Sequence, residues 1–478
     1  MFYGRDGILE DLSALFRKRT SSLVTCRGRR RIGKSTLVET FAARSDAAFI
    51  KIEGLRPAPK LDNAAELAHF ASQLAAQTGC DASPPLDWLN AFLRLDREIA
   101  DNRRTVVLLD EVSWMAHYDP TFAGTLKVAW DNRLKKHPRL ILVVCGSVST
   151  WIRDNIVESG SFYGRRSLDI VVPELPLSEC VKFWGKAAFR IDFREILDFL
   201  SVVGGVPRYL EEVDPAATAA ENIRRLCFRP KGVLREDFDE MFSDVVTTQP
   251  TFTASVLRRL AEGPRSAADI ALEIGMARGG RVSDALEQLV ECGLASADEG
   301  NNPATGRPLR EKRYRLRDNY ARFYLKCIEP AKSVIDADAF AFGGLERLDG
   351  WEAIMGLAFE NLVVNNFREL LGPLGLGSTQ IISAAPYRRA GGRKRGDEGV
   401  QVDLLLQARR SVCLVEVKRM REIGRDVIDE MEEKVRLLPR RRGSSVKTAL
   451  VYDGHLAPIV EADGYFDAIV PFHQLLGL

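Results

Sequence analysis

The chain has 478 residues, 46% of them apolar and 28% charged, with 68 Lys and Arg against 66 Asp and Glu. Length predicts roughly three domains, and the small net charge of +2 singles out no class of partner. Eight scattered cysteines without a CxxC pair, five separated histidines and no apolar run near the roughly 20 residues of a membrane span argue against a disulfide scaffold, a zinc enzyme and a membrane protein.

Residues 1–150 alternate short apolar runs with helical patterns. The runs 23–26, 48–52, 105–109 and 140–145 are rich in Val, Ile and Leu without alternation, as in strands buried on both faces. The patterns at 64–77 and 88–99 read as helices, so a parallel sheet wrapped by helices is expected. Residues 176–243 read as mostly helical. Three short helical patterns follow at 251–260, 266–272 and 279–292, then a Gly/Asn/Pro loop between strand-like pieces. Glycines at 343, 344 and 350 mark a boundary, after which α/β character returns. Cys26, Cys145 and Cys413 lie inside apolar runs and read as buried free thiols of a cytoplasmic protein. The first residues lack a basic-then-apolar pattern, so no secretory signal is expected.

Gly28, Arg29, Arg30, Arg31, Ile32, Gly33, Lys34 and Ser35 fit GxxxxGK[ST], followed by Thr36, between a strand and a helix. Glycines let the backbone curl so that N–H groups face phosphates, and the helix N-terminus adds partial positive charge. Lys34 is placed for the β- and γ-phosphates of ATP, and Ser35 for Mg²⁺. The run 106–109 delivers Asp110 to the Mg²⁺ shell and Glu111 to the attacking water. A third run ends at Ser147, placed for the γ-phosphate or the water, or simply a strand end. Arg165 and Arg166 follow Gly164; they read either as an arginine finger, from the same chain or a neighbour, or as a solvated basic loop.

Tyr3-Gly4-Arg5, the loop at 28–35, the Asp110-Glu111 pair, Cys145-Gly146-Ser147, the 162–167 segment and Gly204-Gly205-Val206-Pro207-Arg208-Tyr209-Leu210 occur in that order. Together they resemble the AAA+/STAND-related P-loop ATPases often called the archaeal ATPase family, over about residues 1–215. The resemblance implies an ASCE-type sheet, Glu111 as the catalytic acid, Ser147 as a sensor and 204–210 as part of a lid. Cys26-Arg27 departs from the apolar residue or Tyr usual before the loop.

The helical patterns of 251–292 and the strand pieces of 294–317 resemble a winged helix. Arg307, Arg310, Lys312, Arg313, Arg315 and Arg317 oppose only Glu311, so the wing is suited to phosphates; alternatively the module packs on the ATPase and transmits its state. Farther on, 400–407 and 412–417 read as strands around a short turn. Pairing Gln407 with Val412 sets Asp403 opposite Glu416, with Lys418 on the same face. Facing carboxylates repel and need a cation or a proton; a divalent Mg²⁺ or Mn²⁺ held by both would suffice. The spacing resembles the PD-(D/E)xK nuclease core, which implies a further carboxylate from a preceding helix, Glu360, and an auxiliary basic residue such as Lys434 on the following helix. Residues 387–447 carry 17 Lys and Arg against 10 Asp and Glu, including Arg388, Arg389, Arg393, Lys394, Arg395 and the 440–442 run.

The fold class expected is thus α/β and multidomain: an ASCE/AAA+ ATPase core at 1–175, a helical lid at 176–248, a winged helix at 249–335 and a restriction-endonuclease-like domain at 345–478. One reading is an ATP-dependent nuclease, with DNA ahead of RNA and a homo-oligomer allowed. Another is an ATP-driven switch or scaffold with an inactive C-terminal domain. A transcription factor would leave both sites without a role.

Overall fold

In the computed structural model, residues 2–100, 102–147, 149–246, 249–276, 279–391 and 398–478 are described. Five strands organise the first part: β1 (Ser22–Arg27), β2 (Ala48–Glu53), β3 (Thr105–Asp110), β4 (Leu140–Gly146) and β5 (Arg166–Val171). All neighbours are parallel, in the order β2-β3-β4-β1-β5. β3 and β4 are buried at every position, which is why their sequences are unbroken apolar runs. Successive residues feed opposite cores. Leu23, Val107 and Leu142 join Phe70, Trp88 and Phe92 of the helices Asn63–Thr78 and Trp88–Arg97. Val24, Val106 and Ile141 join Leu12, Leu37 and Phe41 on the other face. Each such side chain contributes about 2 kcal/mol by leaving water.

The segment holding Arg165 and Arg166 is not simply a basic loop. Arg166 opens β5, an edge strand beside β1 with Leu23 opposite Arg166. The edge explains why the sequence hid it: half its residues face outward, so no apolar run forms. Cys26 and Cys145 stand opposite each other on β1 and β4, and both, like Cys413, are buried and free.

By contact density, Met1–Glu174 with Met241–Thr247 forms one compact unit, and Leu175–Glu240 with Thr248–Leu478 forms the other. Most of the helical segment thus shares one unit with the middle and C-terminal segments, while its end, Met241–Thr247, belongs to the first. Its middle part has three helices, Pro250–Ala261, Ala267–Glu273 and Gly280–Glu291, and a small sheet in the order β6-β8-β7, built from β6 (Arg265–Ser266), β7 (Ala295–Asp298) and β8 (Arg313–Leu316). Ser266 caps the middle helix in a reciprocal pair with Asp269. β7 and β8 are antiparallel, with Ala295 opposite Leu316.

The C-terminal part is a mixed sheet in the order β13-β12-β11-β10-β9: β9 (Ile381–Arg389), β10 (Val400–Ala408), β11 (Ser411–Ile423), β12 (Ser445–Leu456) and β13 (Ala468–Pro471). β9, β10 and β11 are antiparallel, and β11, β12 and β13 parallel. The helix Asp426–Leu437 supplies Val427, Ile428 and Met431 to its core, with Leu414, Leu450 and Val402 from the strands. Arg393, Lys394 and Arg395 of the expected basic loop, and Arg278 before the third middle helix, lie outside the described residues. Among the described residues no helix is long and apolar enough to cross a membrane.

Candidate functional site

Strand order positions the first site. β4 lies between β1 and β3, so the carboxyl ends of all three open side by side. From β1 the chain enters the loop at Gly28, φ 146°, where an added Cβ would stand 2.8 Å from the Val172 carbonyl oxygen. Arg31 is left-handed at φ 66°, and Gly33, at φ 85°, starts the helix Lys34–Arg44. This curl aims successive N–H groups into one concavity, an anion nest at a helix N-terminus.

Lys34 is buried, and its Nζ donates to the Gly28 and Arg29 carbonyls at 3.1 Å each and to Ser147 Oγ at 3.2 Å. Ser35 Oγ donates to Asp110 Oδ2 at 2.5 Å, a hydroxyl–carboxylate pair that fits Mg²⁺. Glu111, next in the chain, is left-handed at φ 49°. Its carboxylate accepts from Ser147 Oγ at 2.7 Å and from Ser147 N–H at 3.0 Å. Lys34, Ser147 and Glu111 thus form one chain of hydrogen bonds across three strand ends. Ile32 and Arg29 are buried, and Thr36 is exposed on the first helical turn.

Sequence reasoning missed two neighbours. Lys51 of β2 stands 3.6 Å from Asp110 and 3.1 Å from Glu39. Burial works against its charge, but Glu39, with Asp110 and Glu53, holds the ammonium above its ordinary value. Arg30 pairs with the buried Asp244, which also takes Arg56 at 2.5 Å. No local pattern couples residues 30 and 244. Arg165 is held by Asp131 at 2.8 Å and by the Ser161 and Tyr163 carbonyls at 2.9 and 3.4 Å. The Arg165 bond, with a second from Lys127, keeps the Asp131 carboxyl far below the usual range. A finger role would require Arg165 to leave Asp131.

The second site lies on the C-terminal sheet. The β10–β11 ladder runs from Gln407 opposite Val412 to Leu404 opposite Val415, the expected register. One step farther, Asp403 Oδ2 accepts from the Val417 N–H at 2.9 Å, beside Glu416. Asp403, Glu416, Lys418, Lys434 and Glu360, the last from the helix Trp351–Asn365, line one cleft of about 600 Å³. Burial, then Glu416 and Glu360, push the Asp403 carboxyl up to about 7, against Lys434. Burial also raises Glu360, despite Arg315 and Arg322.

The charge compensation differs from expectation. Glu416 is held by Lys434 on one oxygen and by Lys418 on the other, at 3.1 Å from the latter, and Lys418 also reaches Glu430 at 2.7 Å. Among the described residues no group of three His, Cys, Asp or Glu is arranged to hold a metal ion. Glu360, Asp403 and Glu416 line the cleft without closing on one point. Asp403 and Glu416 remain a chemically suitable pair for Mg²⁺ or Mn²⁺, entered only if the lysines yield.

No family model matches the chain. A curated relative, the uncharacterized protein MJECL04 of Methanocaldococcus jannaschii, is 21% identical over 374 residues, which are 77% of this chain and 78% of the relative. Among solved structures, the Walker-type ATPase PABY2304 of Pyrococcus abyssi is similar with a TM-score of 0.50 at 15% identity, covering 68% of this chain and 96% of the other. At that identity the likeness is one of fold: the chain carries a P-loop ATPase fold, with the parallel sheet described above.

Proposed function

We propose that this chain binds and hydrolyses ATP, and couples its nucleotide state to a C-terminal metal-dependent nuclease-like domain that acts on DNA. The observation carrying the first half is the hydrogen-bonded set Lys34, Ser35, Asp110, Glu111 and Ser147 at the adjoining ends of β1, β3 and β4. In this reading residues 28–36 cradle the phosphates. Lys34 turns from the Gly28 and Arg29 carbonyls to the β- and γ-oxygens. Mg²⁺ at Ser35 and Asp110 would neutralise phosphate charge. Glu111, released from Ser147, orients water for in-line attack. Glu111→Gln keeps the shape and removes the carboxylate: nucleotide binding should persist while turnover falls roughly 100-fold or more. A variant that hydrolyses at the parental rate removes Glu111 from this role.

The second half rests on Asp403, Glu416, Lys418 and Glu360 around one cleft. A divalent ion on Asp403 and Glu416 would polarise a scissile phosphate, with Lys418 placed to orient water or meet developing charge. The three middle helices and the β7–β8 hairpin are read as a winged helix, the 176–248 segment as the lid, and the active assembly as a homo-oligomer. The test compares wild type with the Asp403→Ala/Glu416→Ala variant on linear, circular and single-stranded DNA and on RNA, with Mg²⁺ or Mn²⁺, with and without ATP. Cleavage by wild type alone is expected.

A second reading is an ATP-driven switch whose C-terminal domain only binds. The two lysines already neutralising Glu416 favour it. ATP hydrolysis without cleavage of any substrate would decide for it.

A further inference from the structure

The loop between β7 and β8 is docked on the C-terminal sheet. Asn301 N–H donates to Ser383 Oγ at 3.3 Å, and Gln407 Nε2 donates to the Asn301 carbonyl at 2.7 Å. Arg441 donates to the Thr305 carbonyl at 2.7 Å. Arg315 of β8 is bonded to Asn361 and, from both terminal nitrogens at 3.1 Å, to Asn365, on the helix that carries Glu360.

Held this way, the hairpin borders a second, partly open cavity of about 160 Å³ that shares Glu360 and Asp403 with the cleft above. Three arginines are also among its lining residues: Arg310 and Arg313 from the hairpin, and Arg388 from β9. Among the described residues, the guanidiniums of Arg310 and Arg388, both exposed, hold no hydrogen bond or ion pair. Arg313 reaches only the Pro264 carbonyl at 3.0 Å and Asp269 at 3.7 Å. Of the remaining acids on the wall, Asp298 is taken by Arg315 at 3.5 Å, and Glu311, exposed like Arg310 and Arg388, attracts Arg313. Guanidiniums thus share the lining with the acids Glu360 and Asp403, and apolar Leu309 and Pro386 lie among the lining groups. Guanidiniums match phosphate oxygens in charge and geometry, and aromatic or apolar walls accept a base of any sequence. The space is below the roughly 300 Å³ at which drug-sized pockets begin, enough for one base and far too small for a duplex.

We infer that this cavity binds one unpaired nucleotide of a single nucleic-acid strand, its phosphodiester on Arg310, Arg313 and Arg388 and its base against Leu309 and Pro386, and so leads the strand to the Asp403–Glu416 cleft. The inference rests on the reading of the C-terminal domain as a nucleic-acid site, and it makes the hairpin part of that site. It also names the substrate: a strand end or an unpaired segment.

The test uses the full chain and a fluorescent oligonucleotide of about 16 nucleotides, single-stranded or annealed, followed by anisotropy in EDTA so that nothing is cut. The single strand should bind at least about tenfold more tightly than the duplex. Arg310→Ala/Arg388→Ala should weaken single-strand binding about tenfold and lower the slope of log affinity against log salt by roughly 1.4, two phosphate contacts' worth. The charge-matched control Arg409→Ala/Arg410→Ala, in the β10–β11 turn, should change neither. Equal binding of duplex, an unchanged Arg310→Ala/Arg388→Ala variant, or an equal loss in the control would each overturn the inference. Cleavage with Mn²⁺ is scored separately: a wild type that binds as described but cuts nothing removes the nuclease and leaves the strand site.

Discussion

Glu66 illustrates how much one buried group can say. It sits in the first turn of the helix Asn63–Thr78, 1% exposed, and both its oxygens accept from the Leu55 N–H, at 3.1 and 3.2 Å. Burial pushes its carboxyl up to about 7, and the Leu55 hydrogen bond only partly opposes this. The folded state therefore holds a proton that the unfolded chain releases near pH 4.5. Stability from this group is full below that pH, falls as pH rises, and is gone above about 7. Glu66→Gln cannot titrate, so its melting temperature should decline less than wild type between pH 5 and 8, a difference on the order of 2 kcal/mol at the upper end. Parallel melting profiles of the two proteins would refute the assignment. At the same scale, Glu111 and Arg31 accept left-handed backbone around the loop concavity, at φ 49° and 66°. Strain of this kind persists where surrounding structure over-determines it.

At the scale of elements, what was readable in the sequence follows from what each element touches. β1 to β4 are buried between helices, so their apolar runs nearly coincide with the strands. The β10–β11 register from Gln407–Val412 to Leu404–Val415 was readable because a two-residue turn fixes pairing, and a slip by one would put polar groups in the core. β5 was hidden because an edge strand needs no such run. Asp244, opposite Arg30, was out of reach because nothing local links positions more than two hundred apart. Lys418 and Lys434 were legible as bases, but their hold on Glu416 depends on how the helix Asp426–Leu437 lies across the sheet. The docking of the β7–β8 hairpin likewise follows from tertiary contacts. Its base carries a test. Arg315 is buried and ties Asp298, Asn361 and Asn365 together. Arg315→Met strands Asp298 and should cost about 3 kcal/mol, several degrees of melting temperature. Adding Asp298→Asn should restore part of that loss; no recovery would mean that Arg315 acts through packing alone.

At the scale of the whole molecule, two compact units with separate cores imply more than one unfolding step. Scanning calorimetry should resolve two transitions. Mg·ADP at about 100 times its Kd should raise the one belonging to Met1–Glu174, by about 2.7 kcal/mol, and Lys34→Ala should abolish the rise. A single transition would show the units to be one cooperative block. The lysines on Glu416 have a consequence of another kind. A carboxylate cleft left bare would be held open by its own repulsion until an ion arrived, and folding would wait on supply. Here the chain carries internal counter-charges, Lys418 and Lys434 on Glu416, so the acidic cleft is balanced from within and its folding waits on no ion.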